Sequence, residues 1–131
     1  MAEISALTVF AGLPVRRLAK AVEWYGEVLG REPDAHPAPT IADYYLTPDR
    51  VPEHGTLQLR EDAGRAGGGM VTINVEDIAL FAQSLERVHV AFDTQEFRID
   101  AVDVSSVTVG TFEDPDGNAV TVVQPHLRTR R

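Results

Sequence analysis

The sequence predicts an α+β fold of two tandem βαβββ modules, and three observations carry that prediction. Laid over itself at an offset near 60, the chain matches Val15 to Val75, Leu18 to Ile78, Ala21 to Phe81, Val22 to Ala82 and Tyr25 to Leu85. One strand–helix unit is therefore written twice. Each copy is followed by strand-like runs. The last of these, FEDPDGNAVTVV (112–123), reads as strand, tight turn, strand. In it Pro presets φ, Gly takes positive φ, and Asp and Asn side chains bond the local backbone.

The elements follow in order. ISALTVFAGLPV (4–15) is apolar and partly β-branched, a strand with Pro14 confined to its end. In RRLAKAVEWYGEVLG (16–30), Leu18, Ala21, Val22, Tyr25 and Leu29 form one apolar helical stripe, and Gly30 sits where a C-terminal cap belongs. Tyr25 lies on that stripe as core, and Trp24, one step off it, is a candidate for a subunit interface. Prolines break REPDAHPAPTIADYYLTPDRVPEHG (31–55) around one apolar run, Ile41 to Leu46, giving loop, strand, loop. TLQLRE (56–61) alternates as a half-buried strand, and DAGRAGGG (62–69) reads as a flexible linker. MVTINV (70–75) is the next strand. EDIALFAQSLERV (76–88) is a helix with Asp77 as N-cap and Ile78, Phe81, Ala82, Leu85 and Val88 along its stripe. VHVAFD, DAVDVSSVTVGTFED and NAVTVVQP supply the remaining strands. The chain is expected to be one domain: module one about 4–62, linker 62–69, module two 70–125 and a basic tail, 126–131.

The 131 residues suffice for one core, with 44% hydrophobic and 24% charged residues. Cysteine is absent, which removes disulfides, thiolate nucleophiles and Cys-type zinc sites together. No apolar run approaches the ~18–20 residues that span a bilayer. The N-terminus lacks a basic n-region, so a cytoplasmic protein is expected. Net charge is −8; the final HLRTRR holds three of the twelve basic residues, leaving nine against twenty acidic ones before it. That field disfavours nucleic acid and anionic membranes and attracts cations. The acidic pairs Glu61-Asp62 and Asp114-Asp116 stand at turns or strand ends, where solvated charge is the expectation. No Ser-His-Asp spacing, phosphate-binding loop or redox motif is present.

Three stretches resemble the vicinal oxygen chelate superfamily, which takes in glyoxalase I, extradiol dioxygenases and the bleomycin-resistance antibiotic-binding proteins. VRRLAKAVEWYGEVLG is similar to its first helix, MVTINVEDIALFAQSL to the strand and helix opening its second module, and FEDPDGNAVTVVQP to its terminal hairpin. The resemblance implies an open, cupped mixed sheet with the helices outside and a ligand site in the cup. It also implies four inward metal-ligand positions, which fall here on Phe10, Gln58, Met70 and Thr121. Only Gln58 offers a donor of the family type: Phe has no lone pair, a Met thioether is too soft for a hard divalent ion, and a Thr hydroxyl is weak. Of the histidines, His36 and His54 fall in loops, His126 in the tail, and His89 at the start of a strand that supplies no ligand. No metal and no other cofactor is expected.

Strand parity groups Phe10, Gln58, Arg60, Met70, Thr72, Asn74, Thr121 and Val123 on the cup face, together with either Tyr44 or Tyr45. This is an apolar and aromatic floor with a few hydrogen-bonding groups, the make-up of a small-molecule pocket. The function expected is metal-independent binding of a small organic molecule, cationic or aromatic, by a homodimer resembling the bleomycin-resistance members. Two alternatives stand beside it. One is a glyoxalase- or dioxygenase-like lyase or isomerase, for which Tyr44 or Tyr45 with Arg60 are the acid–base candidates and no catalytic residue is assigned. The other is a structural or regulatory domain without a small ligand.

Overall fold

A computed structural model describes residues 1–99 and 101–128. In chain order the elements are β1 (Phe10–Val15), α1 (Leu18–Leu29), β2 (Ala35–Ala38), β3 (Ile41–Tyr45), β4 (Thr56–Glu61), β5 (Met70–Asn74), α2 (Ile78–Arg87), β6 (Thr94–Arg98), β7 (Val104–Glu113) and β8 (Ala119–Leu127). Each module is a βαβββ unit. Its four-stranded sheet has the order β1-β4-β3-β2 in the first module and β5-β8-β7-β6 in the second. The opening and closing strands of each module run parallel and the remaining pairs antiparallel.

The apolar stripes explain how the helices sit. Leu18, Ala21, Tyr25 and Val28 of α1 and Ile78 and Leu85 of α2 are buried. They join Leu13, Val15, Ala42, Tyr44, Leu57, Leu59, Phe112, Val120 and Val122 from one face of the sheets in a single core. By alternation the opposite face of every strand carries no helix and stays open. Both helices are started in the same way by the closing strand of their own module. Glu61 Oε2 accepts from Leu18 N at 2.9 Å, and Gln124 Oε1 accepts from Ile78 N at 2.9 Å. Asp77 caps α2 through Ala79 N, and Gly30 ends α1 at φ 70°.

Several boundaries depart from the sequence expectation. The first strand begins at Phe10, and residues 1–9 belong to no strand. Its ladder partner β4 begins at Thr56 opposite Phe10, so among the described residues none stands across from the chain before Phe10. β2 forms through Pro37 in a segment expected to be loop; an edge strand tolerates a residue without an N–H. VHVAFD is no strand: the chain turns at His89 (φ 59°) and Val90 N bonds Leu85 O, so β6 begins only at Thr94. β8 runs on to Leu127, and this places His126, expected in the tail, inside the strand with its ring at 2.7 Å from Thr108 Oγ1. The rest of the basic tail, from residue 129, lies outside the described residues.

The Gly-rich linker is a fixed turn. A side chain at Gly67, which has φ 86°, would overlap Asp116 O, and Gly69 lies against Pro14, Leu13 and Asn118. β5 thereby starts beside the end of β1, and the two sheets meet along these edge strands.

Candidate ligand-binding site

The residues that join the modules come from the terminal turn. Asp114 Oδ1 accepts from the N–H groups of Asp116 and Asn118, at 3.0 and 2.9 Å. Its Oδ2 accepts from Asn118 Nδ2 and from Tyr25 Oη on α1, at 2.9 and 2.8 Å. Asn118, fully buried, also donates to Pro14 O at 2.7 Å and accepts from Gly69 N at 2.8 Å. Asp116 accepts from Arg16 N at 3.2 Å. The expectation of solvated charge thus fails for Asp114, which is buried because the turn presses on the neighbouring module. Burial, and after it the adjacent Asp114 carboxylate, pushes the Tyr25 hydroxyl far up. Trp24 is used within the chain, its ring 4.9 Å from Tyr25 and 6.1 Å from Phe112 of β7.

The ladder registers place the candidate ligand residues. Phe10 stands opposite Thr56, and Gly12 opposite Gln58. In the second module Met70, Thr72 and Asn74 stand opposite Ala119, Thr121 and Val123. All of these residues, with Arg60, share the open faces. The Tyr44/Tyr45 alternative resolves: Tyr45 pairs with Thr56 on the open face, whereas Tyr44 pairs with Leu57 and is buried in the core. Tyr44 Oη finds no hydrogen-bond partner among the described residues, and burial, then Glu32, pushes its hydroxyl up to about 12.

Side-chain bonds organise the polar part of the first module's open face. Arg60 Nη1 donates to Gln58 Oε1 at 3.2 Å, and Gln58 Nε2 donates to Asp43 Oδ1 at 2.9 Å. Asp43 was missed from the sequence although it is buried and stands directly across from Gln58. Its parity with Tyr45 was the available signal, lost because the two tyrosines could not be told apart. On the second module Thr111 and Thr121 share a hydrogen bond at 3.0 Å across β7 and β8. Val107, Val109 and Phe97 extend that face.

A divalent metal at the four positions that the sequence resemblance implies does not fit these side chains. Phe10, Met70 and Thr121 offer no strong donor, and the amide of Gln58 is already engaged on both atoms. Among the described residues no three His, Asp or Glu side chains are placed to hold an ion. The chain also forms cavities, two of them of about 650 Å³. One lies between α1 and the terminal turn, around Trp24 and Pro115. The other lies between the loop before β4 and the start of α2, and only Thr72 and Asn74 of the candidate residues reach it. Among the described residues no helix is long and apolar enough to cross a membrane.

These features agree with what the chain is similar to. No curated protein matches it. Among solved structures, a glyoxalase/bleomycin resistance protein from Catenulispora acidiphila DSM 44928 is 28% identical, with 91% of this chain and 98% of that one covered at a TM-score of 0.71. TnmS3, an antibiotic-binding protein from Streptomyces sp. CB03234, is 21% identical, with 96% and 100% covered at 0.65. A bleomycin-binding protein solved with bleomycin is 16% identical, with 91% and 98% covered at 0.63. The model of the Glyoxalase/Bleomycin resistance protein/Dioxygenase superfamily matches residues 7–122, and the chain belongs to that family.

Proposed function

We propose that this protein is a metal-independent binder of a small organic molecule, held on the open faces of its two sheets and working as a cytoplasmic homodimer. The observation that carries this reading is the face itself. Phe10, Tyr45 and Met70 supply aromatic and adaptable apolar contact, and Thr72, Asn74, Thr121 and Val123 line the second module. The Arg60–Gln58–Asp43 chain adds directed polar groups to that apolar floor. A buried carboxylate at Asp43, aromatic rings and a net charge of −8 favour a planar or cationic ligand. The names of the bleomycin-binding and antibiotic-binding neighbours support the same class.

The test is a thermal-shift series with bleomycin, planar cationic antibiotics and divalent metals. An organic ligand at 100 times its Kd adds roughly 2.7 kcal/mol, several degrees for a domain of this size. Gly12 lies on the open face with nothing within 4 Å of where a Cβ would stand. Gly12→Phe is therefore expected to fold normally and to weaken binding by more than about tenfold, since bulk fills the floor opposite Gln58. Stabilisation by a divalent ion that Gln58→Ala abolishes would sink the metal-free reading, and a series with no shift at all would sink ligand binding.

A further inference from the structure

The two cavities of about 650 Å³ occupy equivalent places in the duplicated fold. Each is lined by the start of one module's helix and by the loop before the other module's closing strand. Arg16, Arg17, Lys20 and Ala21 line the first, and Glu76, Asp77, Leu80 and Phe81, their counterparts sixty positions on, line the second. The two loops differ at one residue that matters. β4 begins at Thr56 and β8 at Ala119, so Gly55 stands in the first module where Asn118 stands in the second. Asn118 stitches the modules through Pro14 O and Gly69 N, whereas Gly55 has no side chain to reach across. The shared edge of the modules is therefore stitched where β1 ends and β5 begins. The second cavity takes in Ala11 from the start of β1 and Asn74 from the end of β5, which is the unstitched end.

We propose that this second cavity is a further ligand site, separate from the open faces, for a drug-sized apolar molecule that carries a protonated amine. Its volume lies in the range of small-molecule pockets. Leu29, Leu46, Pro48 and Phe81 supply apolar wall to the body of such a molecule. The charges around the cavity select the amine. Arg31 donates to Tyr45 O and lies 4.0 Å from Asp34, and His54 Nδ1 lies 2.6 Å from Asp49 Oδ2, so both basic side chains have acidic partners. Glu76 and Asp77 are exposed, and among the described residues neither has a cation against it. An ammonium group gains charge-assisted hydrogen bonds from those two carboxylates, and a carboxylate ligand meets repulsion. The first cavity does not share this preference: Lys20 holds the place of Leu80, and Arg16 and Arg17 the places of Glu76 and Asp77. The site goes beyond the open-face function, and either can fail without the other.

Fluorescence titration of the full chain with two probes of one fluorophore tests it. Dansylcadaverine ends in a primary ammonium, and dansyl-aminohexanoate ends in a carboxylate. The wild type is expected to bind the amine at least about tenfold more tightly than the carboxylate. Leu80→Lys writes the first module's residue into the second cavity. Leu80 is 60% exposed, so the variant keeps its fold, checked by near-ultraviolet circular dichroism. It is expected to weaken the amine by about fivefold or more, and Glu76→Lys to reverse the preference between the probes. Gly12→Phe, which fills the open face, is expected to leave both affinities unchanged. Equal affinity for the two probes, or an amine affinity that neither lysine variant moves, overturns the site. Amine binding lost in Gly12→Phe and kept in Leu80→Lys also overturns it, and assigns the probe to the open face. Amine binding that follows Leu80 and Glu76, in a protein that bleomycin and the planar cationic antibiotics leave unshifted, keeps the cavity and sinks the open-face function alone.

Discussion

Asn118 ties three parts of the chain with one amide: the linker through Gly69 N, the end of β1 through Pro14 O, and the terminal turn through Asp114. Removing that amide leaves the part-buried N–H of Gly69 and C=O of Pro14 without their partners, each costing about 1–3 kcal/mol. Asn118→Ala is expected to lower stability by about 2–4 kcal/mol, read as a shift of the urea midpoint with an unchanged slope. Tyr44 presents the opposite case. Its buried hydroxyl has no partner among the described residues, so Tyr44→Phe removes a desolvated group and is expected to leave stability equal or higher by up to about 1 kcal/mol. The two tyrosines also contribute to the response to alkaline pH. Both hydroxyls are raised above the ordinary 10.0 by burial, Tyr44 to about 12 and Tyr25 further. A raised pKa contributes stability that is fully present below pH 10 and is lost as pH climbs through the folded value. Unfolding titrations just below pH 10 and near pH 12 are expected to show the wild type losing more than Tyr44→Phe over that window.

At the scale of elements, the linker is the part whose character changed most between sequence and structure. Eight residues rich in Gly suggest slack, yet Gly67 holds a left-handed φ against Asp116 O while Gly64 has only ordinary contacts. Gly67→Ala is expected to cost at least about 2 kcal/mol and Gly64→Ala much less, a contrast that calorimetry of the pair would check. Where elements were legible, a buried stripe made them so: α1, α2, β4 and β5 alternate or repeat because one side meets the core. β6 reads TQEFR, every residue exposed, and without a buried side it leaves no periodic trace. β2 was hidden by Pro37, which its edge position accommodates. The first strand was drawn too long because Ile4, Leu7 and Val9 look like core, and in the single chain they have no core to enter.

For the molecule as a whole, the duplication was the most legible property. Helix starts repeat sixty positions apart at Leu18 and Ile78, while closing-strand positions repeat at sixty-three, Gln58 with Thr121 and Glu61 with Gln124. Parity therefore assigned most of the open face correctly by side. It failed at the adjacent tyrosines, where a one-residue choice sends one ring into the core and the other onto the face, and Asp43 was lost with that choice. Two-fold likeness also hides an asymmetry in how the protein is made. The bond from Asn118 to Pro14 spans 104 residues. At roughly 5–20 residues per second of synthesis, the first module waits on the order of 5–20 s for the turn that fastens it. Through that interval Pro14 O, Gly69 N and Tyr25 Oη lack their partners, so the chain on the ribosome passes through a long unfastened stage, and the hairpin between β7 and β8 is the latch that ends it.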